Sequence, residues 1–508
     1  MLPLLLAAAA ASAQEGSDPS LVGAPLESRA MEVVEPTEPE PDNGFSFLGL
    51  VQTRATMTDI ATDNPFYNGQ LVGQLGGSNS TVVLGEGPPA MYTEFRTNGF
   101  FGYAPPILDG KVKLNAGWEV DFSFGDLSYG TGGNTGGGFG ADQVNLQTRR
   151  LNVVVKPSDW LQITLGQQFM NDGVYDPNTS GGDALFRSGG GLMFFGSEAA
   201  GITLHGTHNN DYAPVVRWRA GAFTLTENGA AVQDDVGLLM ADLQWHPIWA
   251  TTVGFHAWHL RDRSAGNGGA FGVGPTSALA ELQGAARLDL RDDGEDTAPD
   301  VNADITWLVA DAGYNVGLHQ GPFGVRGLAA WNLGRMYVTG KPDVGISGQL
   351  FDVEARFRYT RGQGSVVRLE GLWVSADDAD ESRYTGIITG NSYGIVGSVY
   401  TTHGCVLLFQ DLFSINRMTP VNFDISGQGQ GMRAVTGSVG YDPIPDRLTV
   451  QVGGGRAVRE GSSATEVNVR VIGEPFLFFN VGVTAATAFI EGERDPYMVY
   501  VHGDWLVF

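Results

Sequence analysis

The sequence predicts an all-β fold: a transmembrane antiparallel up-and-down β-barrel of about eighteen strands. Three features carry that prediction. Apolar and polar residues alternate with a period of two over long segments, the connections alternate short and long, and no segment sustains a helical period.

Composition narrows the field first. Among 508 residues there are 73 glycines, well above the usual share of about 7%. Acidic residues number 56 against 30 Lys and Arg, a formal charge of −26. Lysines are confined to Lys111, Lys113, Lys156 and Lys341. So acidic a chain lacks the basic face that phosphate backbones require, which argues against nucleic acid as a partner. Cys405 is the single cysteine; it excludes an intrachain disulfide and a thiolate metal cluster. No cofactor motif is present.

The N-terminus reads as an export signal over 1–13. Leu2 to Ala11 is apolar, and Ala11-Ser12-Ala13 supplies small residues for cleavage before Gln14. The run is shorter than the about 20 residues a helix needs to span a bilayer. Residues 14–44 are rich in Pro and Glu and cannot bury a core, so they read as a disordered periplasmic leader. The barrel is expected over 45–508.

Strands follow from the alternation. In Phe351 to Arg361, Phe351, Val353, Ala355, Phe357 and Tyr359 fall on one face, and Asp352, Glu354, Arg356, Arg358 and Thr360 on the other. Lys111 to Ser123 repeats the pattern. Eighteen such segments are read: 45–58, 89–104, 111–125, 143–156, 159–171, 200–209, 213–228, 235–246, 248–261, 303–318, 322–338, 348–361, 363–376, 432–442, 446–459, 464–473, 476–490 and 497–508. Sixteen strands, or twenty if 377–431 hides two more, are the alternatives. The tight connections, such as Pro157-Ser158 and Glu474-Pro475, fall on one side. The long ones, 59–88, 126–142, 172–199, 262–302 and 377–431, fall on the other. Outer-membrane barrels show this asymmetry, with short periplasmic turns and long extracellular loops. Trp160, Trp245, Trp249, Phe323, Phe476 and Trp505 flank the tight turns and form an aromatic girdle. Phe508 supplies the C-terminal aromatic expected to engage the barrel-assembly machinery. Outer-membrane lipid and lipopolysaccharide are the other expected partners.

The hairpin Arg149-Arg150-Leu151-Asn152-Val153 with Leu161 to Phe169, and the late strand Glu370 to Ser375 opening into Ala376-Asp377-Asp378, resemble porin-like outer-membrane barrels of the alginate-export type. That resemblance implies eighteen strands and an Arg-rich lumen for anionic sugar polymers. One departure stands out: His502 and Asp504 occupy the usual apolar phase of the last strand, and Val499, Val501, Trp505 and Val507 form the better lipid-facing set. A bulge or a different rim geometry would account for it.

If the apolar face meets lipid, the polar face lines the pore. The expected lining is Glu94, Arg96, Lys113, Glu119, Asp121, Arg150, Arg217, Arg219, Asp242, Gln244, Arg326, Asp352, Glu354, Arg356, Arg358, Arg368 and Glu370. Arg149-Arg150 interrupts the alternation. Arg356, Arg358 and Arg368 lie beside Asp352, Glu354 and Glu370, so the group reads either as a self-neutralising ladder or as a basic strip for anions. The expected function is passive diffusion or export of small hydrophilic solutes, with anionic or sugar-like solutes as the narrower expectation. A surface scaffold and a wall-active hydrolase are the rivals. The pairs His205/His208 and His256/His259 are spaced so that a strand sends them to opposite faces, so neither chelates a metal as a unit. No G-x-S-x-G elbow occurs. The apolar segment Val406 to Phe413 within 377–431 is expected to fold into the lumen.

Overall fold

The computed structural model describes residues 44–507, apart from the longer segments 82–89, 125–142, 171–196, 210–213, 227–234, 264–300, 389–400 and 412–420 and a number of shorter stretches and single positions. The signal segment, the leader, Trp249 and Phe508 lie outside the described residues.

Eighteen strands build one sheet. They are β1 (Phe45–Thr58), β2 (Ala90–Tyr103), β3 (Val112–Phe124), β4 (Gln143–Ser158), β5 (Leu161–Met170), β6 (Ser197–Asn209), β7 (Pro214–Thr226), β8 (Val236–Trp245) and β9 (Thr251–Asp262). They continue as β10 (Val301–Tyr314), β11 (Phe323–Val338), β12 (Val344–Arg358), β13 (Val366–Val374), β14 (Met432–Ile444), β15 (Leu448–Arg459), β16 (Ser462–Phe476), β17 (Phe479–Ile490) and β18 (Tyr497–Val507). Each pairs antiparallel with its sequence neighbours. β1 and β18 close the ring over Gly49↔Val507 to Thr58↔Met498. Closure leaves no sheet edge, which a lipid environment demands of strands. The twenty-strand alternative falls away. Within 377–431 the described strands are two-residue pieces, and of these only Arg383–Tyr384 joins the barrel sheet, as a short parallel addition to β12.

Side chains sort as the period requires. Phe351, Val353 and Phe357 are exposed, while Asp352 and Glu354 between them are buried. The tight-turn aromatics Trp160, Trp245, Phe323, Phe476 and Trp505 are all exposed on the outside. The last strand shows no register shift against β17 or β1. The expected bulge is therefore absent. The phase is simply the one in which Val501 and Trp505 face out while Asp504 is buried.

Two irregularities matter. The β3–β4 register shifts so that Gly117 faces Arg150 and Trp118 faces Thr148, which leaves Arg149 as the extra residue of a bulge. Arg150 shares its face with Asn152, the buried partner of Asn115, and the bulge turns Thr148, two residues earlier, to the opposite face. Second, the inner face is not polar throughout. On β10, Ala303, Ile305, Trp307 and Val309 are the buried set, and Asp304 turns outward to pair with Arg263 at 2.7 Å. Inside, Trp307 donates its indole N–H to the Ile388 carbonyl at 2.7 Å, so this apolar stretch packs against an inward segment rather than water.

The outward face makes a direct prediction. Val353 is exposed midway along β12. Val353→Arg should destabilise the barrel in lipid vesicles by about 2–4 kcal/mol, measured by denaturant titration of the heat-modifiable folded form. An unchanged midpoint would contradict the assignment of that face to lipid.

Candidate functional site

The inner wall carries its densest charge on β11 to β13. Register aligns Arg326 with Glu354, Glu354 with Glu370, and Arg356 with Arg368. Glu354 is the hub. Arg326 Nε donates to it at 2.7 Å, and Arg356 grips both its oxygens at 2.7 Å. The Arg326 guanidinium also reaches Glu370 at 3.3 Å and Asp352 at 3.8 Å. Bidentate Arg–carboxylate pairing of this kind is strong and fixes orientation. Arg356 and Arg358 each donate a further bond to a turn carbonyl, Val316 at 3.0 Å and Leu318 at 3.2 Å.

Arg368 stands apart. It forms no hydrogen bond or ion pair with a described residue, and its Nε is buried without a partner. Arg356 sits directly across from it, and Glu354, Arg470 and Arg358 lie within electrostatic reach. Like charges placed opposite each other are destabilising. The two sequence readings thus each describe half of the group. The acids pair directly with Arg326 and Arg356, whereas Arg368 faces Arg356 and pairs with no described acid.

The remaining predicted positions are spread around the wall. Arg96 pairs with Glu119 at 3.5 Å, both buried. Glu94 and Asp121 hold register opposite Ser123 and Arg96, and their side chains lie outside the described residues. The Lys113 side chain lies across Gly102. The Arg150 guanidinium stacks over Phe100 at 5.2 Å. Arg217 aligns with Gln244, both partly exposed. Arg219 and Asp242 belong to a cluster that sequence reasoning did not assemble. Asp242 meets Arg219 at 2.6 Å, His256 Nδ1 at 2.7 Å and the Trp258 indole N–H at 2.8 Å, while His256 Nε2 meets Asp311 at 2.6 Å. Gly254 makes room for it, because a Cβ there would fall 1.9 Å from an Asp311 oxygen.

The segment after β13 folds inward, as its apolar run requires. Cys405, Val406, Leu407, Leu408 and Phe409 are fully buried against inward Ala434, Ala457 and Ala464. Its anchor is Glu466 on β16. The backbone N–H groups of Val406, Leu407 and Leu408 all donate to that one carboxylate, at 2.7, 2.9 and 2.8 Å. Asn468 donates to the Gly404 carbonyl at 2.7 Å, Arg470 to the Cys405 carbonyl at 3.3 Å, and Thr402 to Glu370 at 2.6 Å. The run Gly453-Gly454-Gly455 is the sequence signal for this docking. A Cβ on Gly453 would meet the Gly404 oxygen at 2.7 Å, and one on Gly455 the Cys405 Sγ at 3.0 Å. Thr402 and Arg470 therefore tie the loop to the same wall that carries Glu370 and Arg368.

Comparison with solved structures gives the same architecture. The chain is similar to Acinetobacter baumannii OccAB1, with 9% identity, a TM-score of 0.50, and coverage of 92% of this chain and 98% of that one. The fold is that of an outer-membrane porin barrel. Lower-scoring matches include A. baumannii OccAB4 (10% identity, TM-score 0.46, covering 92% of this chain and 100% of that one) and the outer membrane protein OpdK of Pseudomonas aeruginosa (13% identity, TM-score 0.44, covering 91% and 99%). No family model matches the sequence, and no curated protein matches it. An eighteen-strand porin barrel of this kind resides in the bacterial outer membrane.

The loop anchor yields the second prediction. Removing the Glu466 carboxylate leaves three buried N–H groups without acceptors, at about 1–3 kcal/mol each. Glu466→Ala should release the 404–409 segment from the wall and raise single-channel conductance. Cys405 reports the release independently. Burial, with Glu466 beside it, pushes its thiol well above the usual range, so maleimide should label it slowly in the wild type and readily in the variant. Unchanged conductance together with unchanged labelling would contradict the anchoring role.

Proposed function

We propose that the chain is a passive-diffusion pore of the outer membrane that favours small anionic solutes. One observation carries the reading: Arg368 faces Arg356 directly across the strands, its buried Nε donates to no described residue, and Arg358 and Arg470 stand on the same wall. Arginine is suited to the task because it stays charged and offers a planar fork of donors to carboxylate or phosphate. The inward segment 402–409 is bound to the same wall, so a solute entering beside it passes close to the strip. The net charge of −26 does not oppose this reading. Permeation follows the local field at a narrow site more closely than total charge.

Export of an anionic sugar polymer is the narrower form of the same reading. Current block by uronate oligosaccharides, with none by neutral oligosaccharides of equal length, would favour it.

Reversal potentials in a salt gradient across a planar bilayer test the proposal. The wild type should prefer anions. A unit charge roughly 6 Å from a permeant ion in water acts with about 0.7 kcal/mol, or about threefold in local concentration. Arg368→Gln should therefore reduce the anion-to-cation permeability ratio by about that factor. Cation preference in the wild type, or no conductance from correctly folded protein, would overturn the proposal.

A further inference from the structure

The outer surface carries two arginines where a lipid-facing wall should be apolar. Arg433 is the second residue of β14 and shares its exposed face with Val435 and Val439. Arg456 lies three residues before the end of β15 and shares its face with exposed Val452 and Val458. Phase, not accident of a loop, turns them outward. On the same strand, buried Arg459 points inward and donates to the Phe66 carbonyl. Both outward arginines sit within about 10 Å of the extracellular strand ends, at a rise of about 3.3 Å per residue.

Register sets them side by side. Arg433 pairs with Val458 and Val435 pairs with Arg456, so the two occupy diagonal positions, roughly 7–8 Å apart at Cα. Two guanidiniums at that spacing can close on one anionic group. Around them the same face presents hydroxyls and apolar surface. Thr465 pairs with Arg456 on one side and with exposed Phe489 on the other, Ser463 accepts a bond from Arg456 at 3.4 Å, and Trp373 pairs with Arg433. Neither arginine forms an ion pair with a described residue, and Ser463 links Arg456 to the Glu491 carboxylate.

We infer that Arg433 and Arg456 form a binding site for the phosphate groups of an outer-leaflet glycolipid, lipopolysaccharide. The chemistry selects that occupant over others. A site on the outer wall next to exposed Val435, Val458 and Phe489 offers acyl chains a surface that a soluble anion has no use for. The two guanidiniums offer the bidentate fork that phosphate oxygens accept. Ser463 already donates its hydroxyl to the Glu491 carboxylate at 2.9 Å, which leaves the Thr465 hydroxyl as the added partner for a sugar headgroup. A protein of charge −26 repels an anionic leaflet, so a local cationic pair is what such a contact requires.

The test uses the folded, detergent-purified full chain and measures lipopolysaccharide binding by native mass spectrometry and by the rise in heat-modification temperature. The double variant Arg433→Gln/Arg456→Gln should weaken binding by about tenfold or more, because each charge-assisted bond is lost. Arg335→Gln, which removes another exposed arginine at the extracellular rim, should leave binding unchanged. Dephosphorylated lipopolysaccharide should bind the wild type as weakly as intact lipid binds the double variant. Equal binding by the double variant, equal binding of dephosphorylated lipid, equal loss in Arg335→Gln, or equal stabilisation by inorganic phosphate alone would each overturn the inference. The lipid arms with wild-type protein keep the test decisive even if the double variant folds poorly. Anion selectivity is measured separately, so failure here leaves the pore proposal untouched.

Discussion

The structure depends on hydrogen bonding around a closed ring. Hydrocarbon offers no partner to a peptide N–H or C=O, so each strand must be flanked by two others. The pairing of β1 with β18 over ten residue pairs meets that condition for the first and last strands at once. Once the ring is shut, the alternation of side chains has only one meaning: one set meets lipid and the other is enclosed. The inward positions of Asp352, Glu354 and Arg356, and the outward positions of Phe351, Val353 and Phe357, follow from closure and phase together.

Enclosure changes what charge can do. Buried ions need partners, and the wall supplies them mostly across strands: Arg326 with Glu354, Arg96 with Glu119, Arg219 with Asp242. These pairs hold side chains in place while keeping the wall polar. Where pairing is incomplete, as at Arg368 opposite Arg356, two like charges face each other across the strands. The inward segment works by a related economy. Instead of pairing with another strand, the amides of Val406, Leu407 and Leu408 converge on a single wall carboxylate, so an apolar loop is fixed with only the two-residue pairing of Thr401–Thr402 and Gln410–Asp411 as regular structure of its own.

Legibility in the sequence tracked regularity. Phe45–Thr58 is bounded identically in sequence and structure, because a period of two over fourteen residues is a strong signal. The strand count and the side of each long loop followed from the same alternation and from the tight turns. Which described side chains turn inward was legible wherever alternation ran unbroken. It was ambiguous at Arg149-Arg150, because a bulge shifts phase by one residue and a single chain does not reveal its partner's register. The inward run Val406 to Phe409 could be read as buried from its apolar character. Its tether to Glu466 could not, because that contact joins residues about sixty positions apart through the barrel's curvature. The Asp242–His256–Asp311 cluster was hidden for the same reason, and β10 departs from the rule of a polar inner face because its buried set packs on a loop rather than facing water.

The sharpest test is a cysteine scan along β12, with Cys405 replaced by Ser. Positions 352, 354 and 356 should react with a small water-soluble thiol reagent. Positions 351, 353 and 355, carrying a fluorophore, should be quenched by brominated lipid. Alternation in that order is what a closed, lipid-belted barrel with a wet interior requires. The reverse order, or no alternation at all, would contradict it.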